Sequence, residues 1–158
     1  MEEFPVIKVR KGKVKRGEKI WKKRDALQVI EELVKQYDMV YIIDVDGYNR
    51  NNPNLDLYKK IGKNLWIDSF PRRVEDVVDL IVVGAERITI KNMEGENIKE
   101  LKEICEKDIY ISGDDPDAFN KLVKYNLKGL VIDEVQEIKK DVQTWKIYKE
   151  EWVIKRVK

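Results

Sequence analysis

Met39-Val-Tyr-Ile-Ile-Asp-Val-Asp-Gly47 is the stretch that decides the fold class of this chain. Its five apolar residues follow one another without a polar interruption and run directly into Asp44, Asp46 and a glycine. An unbroken apolar run of this length is typical of a strand that is buried on both faces, as in a parallel sheet covered by helices. Two carboxylates at the C-terminal end of such a strand lie where α/β folds bind their ligands.

A pattern of strand followed by helix repeats along the chain. A first strand is expected over residues 4–10 and an amphipathic helix over residues 24–37. Later strand ends lie roughly 19 to 24 positions apart, at Asp44, Asp68, Lys91, Asp114 and Asp133. Each interval has room for one helix and two short loops, which matches a compact βα unit. We therefore predict an α/β fold in which parallel (βα) units form an incomplete or distorted TIM-type barrel, with a flat doubly wound sheet as the alternative.

The last part of the chain departs from this rhythm. Residues 135–141 are predicted to form a short helix, whereas residues 144–148 and 152–157 alternate apolar and polar side chains like half-buried antiparallel strands. We expect one domain, in which residues 1–133 form the βα units and residues 134–158 form a hairpin-like extension. Six parallel strands would leave an open side, so a homodimer formed through the gap or through the extension is expected.

The amino-acid composition excludes some kinds of catalytic site and indicates the cellular setting of the chain. The chain has no histidine, which excludes a Ser-His or Cys-His pair and makes an ordinary zinc site improbable. A single cysteine, Cys105, permits no internal disulfide, and no apolar run approaches the ~18 residues of a membrane span, so a cytoplasmic protein is expected. Charged residues make up 39% of the chain, with many Lys and Glu, which is a composition typical of thermophiles.

Residues 8–23 are rich in Lys and Arg and contain Trp21. One interpretation is a patch that contacts phosphates or nucleic acid, and the other is a solvated segment. Because the net charge is only +2 and acidic residues interleave through the chain, nucleic acid is not expected as a partner.

Several segments together resemble a known family. They are Tyr41-Ile-Ile-Asp-Val-Asp-Gly47, Asn54-Leu-Asp-Leu57, Leu65-Trp-Ile-Asp68, Arg72, Glu75-Asp76 and Gly84-Ala-Glu-Arg-Ile-Thr-Ile90. Their order and spacing are similar to those of the histidine-biosynthesis barrels, which comprise the phosphoribosylformimino-aminoimidazole carboxamide ribotide isomerase and its cyclase relative. Archaeal paralogues of the isomerase are more similar still, because they also carry a Trp-hydrophobic-Asp segment at the third strand.

The resemblance implies catalytic positions that are only partly kept. The family's aspartate at the end of strand one corresponds to Lys8, whereas the aspartate of strand two is kept as Asp44 and that of strand five matches Asp114. The glycine triplet that admits a substrate phosphate reads Asp68-Ser69-Phe70, and the later Gly-Thr reads Lys91-Asn92. We therefore expect a diverged relative that has lost the isomerase reaction.

The strand ends yield the candidate site. The residues predicted to be catalytic are Lys8, Asp44, Lys91 and Asp114, and those predicted to bind substrate are Asp46, Asp68, Arg72 and Asn92. One interpretation is a polar pocket for a phosphorylated small molecule, with a lysine of lowered pKa as base or carboxylates that bind Mg²⁺, although no metal or cofactor is assigned. Another interpretation is a self-neutralising network of ion pairs that closes the barrel mouth. At the level of the whole protein, the alternative to a diverged enzyme is a non-catalytic binding or assembly protein.

Overall fold

The computed structural model describes residues 2–138 and 140–158 as an α/β barrel. The strands are β1 (Glu3–Arg10), β2 (Lys13–Arg16), β3 (Lys19–Trp21), β4 (Val40–Asp44), β5 (Leu65–Asp68), β6 (Ala85–Ile90), β7 (Asp108–Ser112), β8 (Gly129–Asp133), β9 (Thr144–Tyr148) and β10 (Val153–Arg156). The helices are α1 (Lys23–Tyr37), α2 (Val45–Arg50), α3 (Leu55–Ile61), α4 (Val74–Val82), α5 (Gly95–Ile104) and α6 (Pro116–Lys124). None of the helices described combines the length and the apolar character that crossing a lipid bilayer requires.

Eight of the strands close into a barrel. The order is β1-β4-β5-β6-β7-β8-β9-β10, and β10 returns to pair with β1. Neighbouring strands from β1 through β9 in this ring run parallel, whereas β10 is antiparallel to both of its neighbours. The α/β class and the barrel are thus confirmed, but the barrel is closed and mixed rather than incomplete.

The C-terminal strands close the wall that the sequence left open. The antiparallel pairing of β9 with β10 agrees with the prediction, whereas the parallel pairing of β9 with β8 was not expected. No open side remains to motivate a homodimer, which stays a prediction. The helix expected over residues 135–141 is wrong for the described part of that range, which forms turns and irregular backbone, and Lys139 lies outside the described residues.

Aromatic side chains fill the barrel interior. Successive residues of a strand face opposite sides of the wall, so one set packs against the helices and the other points inward. The Trp66 ring lies at the centre of the inward set, with its centroid 4.9 Å from that of Tyr41, 4.5 Å from Tyr110 and 5.1 Å from Trp145. Because this level of the interior is packed like a core, we expect the mouth at the strands' C-terminal ends to hold any ligand.

A β-hairpin extends beyond the barrel wall. The first half of β1 pairs with β10, and its second half pairs with β2, which in turn pairs with β3. Lys11 and Gly12 join β1 to β2 with φ angles of 49° and 77°, as a two-residue turn of type I′ requires at both central positions. We call residues 8–21 the basic arm.

Candidate functional site

A cleft of about 280 Å³ opens where β5, β6, β7, β8 and β9 end. We call it the mouth cleft. Its polar lining residues are Asp68, Lys91, Asn92, Ser112, Asp115, Asp133, Gln136 and Lys149. Ligand pockets of drug-sized molecules span about 300–1,000 Å³, so the mouth cleft suits a small polar molecule.

Asp68 is the buried carboxylate of the mouth cleft. It ends β5, points to the same side of the wall as Trp66, and is 5% exposed. The Tyr41 hydroxyl donates to Oδ2 over 2.7 Å and the Tyr48 hydroxyl donates to Oδ1 over 2.6 Å. Burial raises the pKa of Asp68, against the opposing effects of the two tyrosine hydrogen bonds and of the Lys91 charge. A carboxyl group of raised pKa that lines a cleft is a candidate for giving and taking a proton.

Two lysines bring unpaired positive charge to the cleft. Lys91 follows β6 and Lys149 follows β9, and neither forms an ion pair within the part of the chain that the structure describes. Asp115 accepts a hydrogen bond from the Ala118 N–H at the start of α6, and Asp133 accepts one from the Val135 N–H. The acids therefore serve the local backbone, and the self-neutralising network is not found among the described residues.

The remaining predicted residues of this end lie around the cleft. Asn92 lines it, and the Asp114 carboxylate accepts a hydrogen bond over 2.9 Å from Gln136, which also lines it. Lys8 does not line it but lies on the basic arm, with its ammonium group 5.2 Å from the centroid of the Trp152 ring. Burial, and then the charges of Lys149 and Lys15, lower the pKa of Lys8.

Asp44 and Asp46 lie outside the mouth cleft and anchor local structure. Asp44 is fully buried, caps α2 by accepting from the Gly47 N–H over 2.8 Å, and also accepts from the Asn54 backbone N–H and the Tyr58 hydroxyl. Asp46 accepts from the Lys11 N–H over 2.6 Å and from the Asn54 amide over 2.9 Å. Burial acts to raise the pKa of Asp46, but these hydrogen bonds and the nearby Arg50 outweigh it and lower the pKa.

Arg72 also donates its hydrogen bonds to groups within the protein. Its guanidinium group donates to the carbonyl oxygens of Gly47, Tyr48 and Phe70, at 2.5, 2.8 and 2.9 Å. It lies over the Phe70 ring, 4.3 Å from the centroid. Arg72 therefore holds the α2 backbone in the position from which the Tyr48 side chain reaches Asp68. No predicted site role of these residues is tested by their placement, so the roles stay predictions.

The sequence interpretation missed three residues of the site, namely Tyr41, Tyr48 and Lys149. Tyr41 lies inside the apolar run of β4, where it is indistinguishable from a core residue. Backbone strain at this end is visible only in the structure, after β5 and β6, where Phe70 and Asn92 adopt positive φ angles of 57° and 52°. Asparagine adopts such angles readily, but a bulky residue such as phenylalanine does so rarely, and backbone strain of this kind clusters at functional sites.

Among residues 2–138 and 140–158, no group of three or more histidine, cysteine, aspartate or glutamate residues is arranged to hold a metal ion. No protein-family model matches the chain, and no curated protein matches it. Kinship with the histidine-biosynthesis barrels therefore stays a prediction.

Proposed function

We propose that this protein is a diverged barrel enzyme that binds a small phosphorylated metabolite in the mouth cleft and exchanges a proton with it through Asp68. The observation that carries the proposal is the combination, in one cleft, of a buried carboxylate with raised pKa and two lysines without ion-pair partners in the described chain.

The lysines supply the anion-binding half of the proposal. An ammonium group presents three donors and a full charge, and it binds phosphate oxygens as a point charge. Lys91 and Lys149 come from β6 and β9, which are not neighbouring strands, so a bound anion would bridge the cleft. Asn92 adds an amide at the same end.

Asp68 supplies the proton-transfer half. Its two tyrosine partners, Tyr41 and Tyr48, have pKa values raised above their usual range by burial and by the Asp68 charge, so both stay protonated donors. They fix the carboxylate in one orientation, which general acid-base catalysis requires. The reaction proposed for the cleft is not the isomerase reaction, because a lysine, Lys8, stands where the resemblance places the first catalytic aspartate.

Binding can be tested with inorganic phosphate and ribose 5-phosphate, followed by amide NMR shifts and isothermal titration calorimetry. We expect shifts centred on Lys91, Asn92 and Lys149, and we expect Lys91→Gln or Lys149→Gln to weaken binding roughly 10- to 100-fold, the worth of one charge-assisted hydrogen bond. Lys99→Gln on α5 is the matched control, because Lys99 is equally exposed but lies on a helix and does not line the cleft.

The pH dependence tests the role of Asp68 separately. An ionised carboxylate repels an anion, so the affinity for phosphate should fall as pH rises through the raised pKa of Asp68, and Asp68→Asn should remove that fall. If neither lysine substitution changes the affinity for phosphate, the mouth cleft is not the binding site. If Asp68→Asn leaves the pH profile of binding unchanged, only the proton-transfer role of Asp68 is refuted.

A further inference from the structure

The basic arm concentrates positive charge in one part of a nearly neutral chain. Residues 8–24 include ten Lys or Arg residues and one acidic residue, Glu18, whereas the net charge of the whole chain is +2. The acidic residues that interleave elsewhere in the sequence are therefore represented in this segment by Glu18 alone. None of the ion pairs in the described chain involves a cation of residues 8–23.

The cations lie on one face of the arm in like-charged pairs. Lys8 of β1 stands directly opposite Lys15 of β2, and Arg10 stands directly opposite Lys13. These side chains belong to the face of β1 that carries the inward-pointing Val6, whereas the alternate residues pack towards the helices. Like charges directly opposite one another across two strands cost stability, so the arrangement gains from a bound anion.

A groove of about 620 Å³ runs along this face. Five of its lining residues are Lys8, Arg10, Lys11, Lys13 and Lys15, and the others are the apolar Val14, Ile20 and Val45. No acidic residue and no aromatic ring lines it. Ile20 keeps 64% of its surface exposed, and the groove shares no lining residue with the mouth cleft.

The arm is fixed to the barrel at its tip. The Lys11 N–H donates to Asp46 over 2.6 Å and the Gly12 N–H donates to the Asn54 side chain over 2.9 Å. Val14, which also borders the groove, is fully buried and packs in the core cluster beneath the helices. The hairpin tip is therefore not free to enter the groove of a nucleic-acid duplex, and the arm presents a held, concave, basic surface instead.

We propose that the basic arm binds the phosphodiester backbone of single-stranded RNA or DNA. A row of cations that form no ion pair in the described chain, in a groove that no acidic residue lines, matches a repeating anion, and the anchored tip favours a single strand over a duplex. Because no aromatic ring lines the groove, the binding relies on phosphate contacts, is independent of sequence and depends on counterion release. The proposal does not depend on the proposed function, because it rests on a different surface.

The test uses the full chain, a fluorescently labelled oligouridylate and fluorescence anisotropy at several salt concentrations. If all five cations contact phosphates, log K should fall with log salt at a slope of about −3.5, and Lys13→Gln with Lys15→Gln should reduce the slope to about −2. The matched control replaces Lys60 and Lys99, which are exposed on helices outside the groove, and should leave the slope unchanged. Circular dichroism and the urea unfolding transition serve to show that the double variant is folded.

Several outcomes would overturn the proposal. A slope that changes equally in the arm and control variants would show that no particular surface binds the strand. Tighter binding of a duplex RNA of equal length would assign the face to a double helix. Equal or tighter binding of poly-glutamate or of phosphatidylserine vesicles would assign it to an acidic protein or to a membrane surface.

Discussion

Replacing Asp44 by alanine should destabilise the fold strongly, although the sequence places Asp44 among the candidate catalytic residues. Its carboxylate is fully buried and accepts from the backbone N–H groups of Gly47 and Asn54, from the Asn54 amide and from the Tyr58 hydroxyl. Four donor groups would lose this acceptor, and leaving a buried donor unpaired costs about 1–3 kcal/mol each. Because water can enter the space vacated by the carboxylate and the four donors share one site, the individual costs do not add fully, and we expect a total loss of about 3–5 kcal/mol.

Urea denaturation followed by circular dichroism measures this loss directly, and thermal melting should show a midpoint lowered by about 6–20 °C. Asp79→Ala on α4 removes the same carboxylate from an exposed position at which no side-chain bond is described, and it should change stability by less than about 0.5 kcal/mol. If Asp44→Ala unfolds with a free energy within 1 kcal/mol of the parent chain, the anchoring role argued for Asp44 is wrong.

Two further predictions concern the barrel interior. Because the pKa of Asp68 is raised in the folded protein, the protonated carboxyl group stabilises the fold. This stabilisation is complete below the ordinary carboxyl pKa of about 4 and is lost as the pH rises through the raised pKa. Asp68→Asn should therefore flatten the pH dependence of the unfolding free energy. A carboxyl titration followed by carbon NMR that finds an ordinary or lowered pKa for Asp68 would contradict this. Arg87 places its guanidinium carbon 5.1–5.7 Å from four ring centroids, and its Nη1 has no hydrogen-bond partner among the described residues. Arg87→Met should therefore change the unfolding free energy by less than about 1 kcal/mol, because lost cation–π attraction and relieved desolvation offset each other, whereas Arg87→Ala should cost about 2–5 kcal/mol through the cavity that it leaves.

The local pattern of apolar and polar residues predicted most of the parallel strands of the barrel wall, but it did not predict that the barrel closes. The apolar run that forms β4 and the helical periodicity that forms α1 both identify their elements because burial enforces those periods. The alternation over residues 144–148 correctly indicated a strand with two unlike faces. It could not show that Trp145 points into a barrel, because an inward aromatic residue and one that faces a second subunit give the same alternation.

The short helix α2 was missed for a related reason. Val45-Asp-Gly-Tyr-Asn-Arg50 contains weak helix formers, notably Gly47 and Asn49, so propensity favours a loop. The segment is helical because Asp44 caps its first turn and Arg72 binds two of its carbonyl oxygens. The Asp44 cap is local to the segment, but Arg72 lies more than 20 residues away along the chain, and its contact is set by the tertiary structure.

Strand parity explains why one predicted carboxylate reaches the mouth cleft and another does not. Asp44 stands opposite Val9, which packs towards the helices, whereas Asp68 stands opposite Ile43, which packs with the interior cluster. Both aspartates end a parallel strand, so the rule that ligands bind at strand ends selects both of them. The two aspartates are distinguished only by the two-residue repeat of a strand. Asp68 is two positions from the inward Trp66 and therefore points inward, whereas Asp44 is three positions from the inward Tyr41 and therefore points outward. In this chain the outward-facing Asp44 serves the helix cap and loop beside it, whereas the inward-facing Asp68 reaches the mouth cleft. Sequence analysis of a barrel should therefore establish which residues of each strand point inward before it assigns a site.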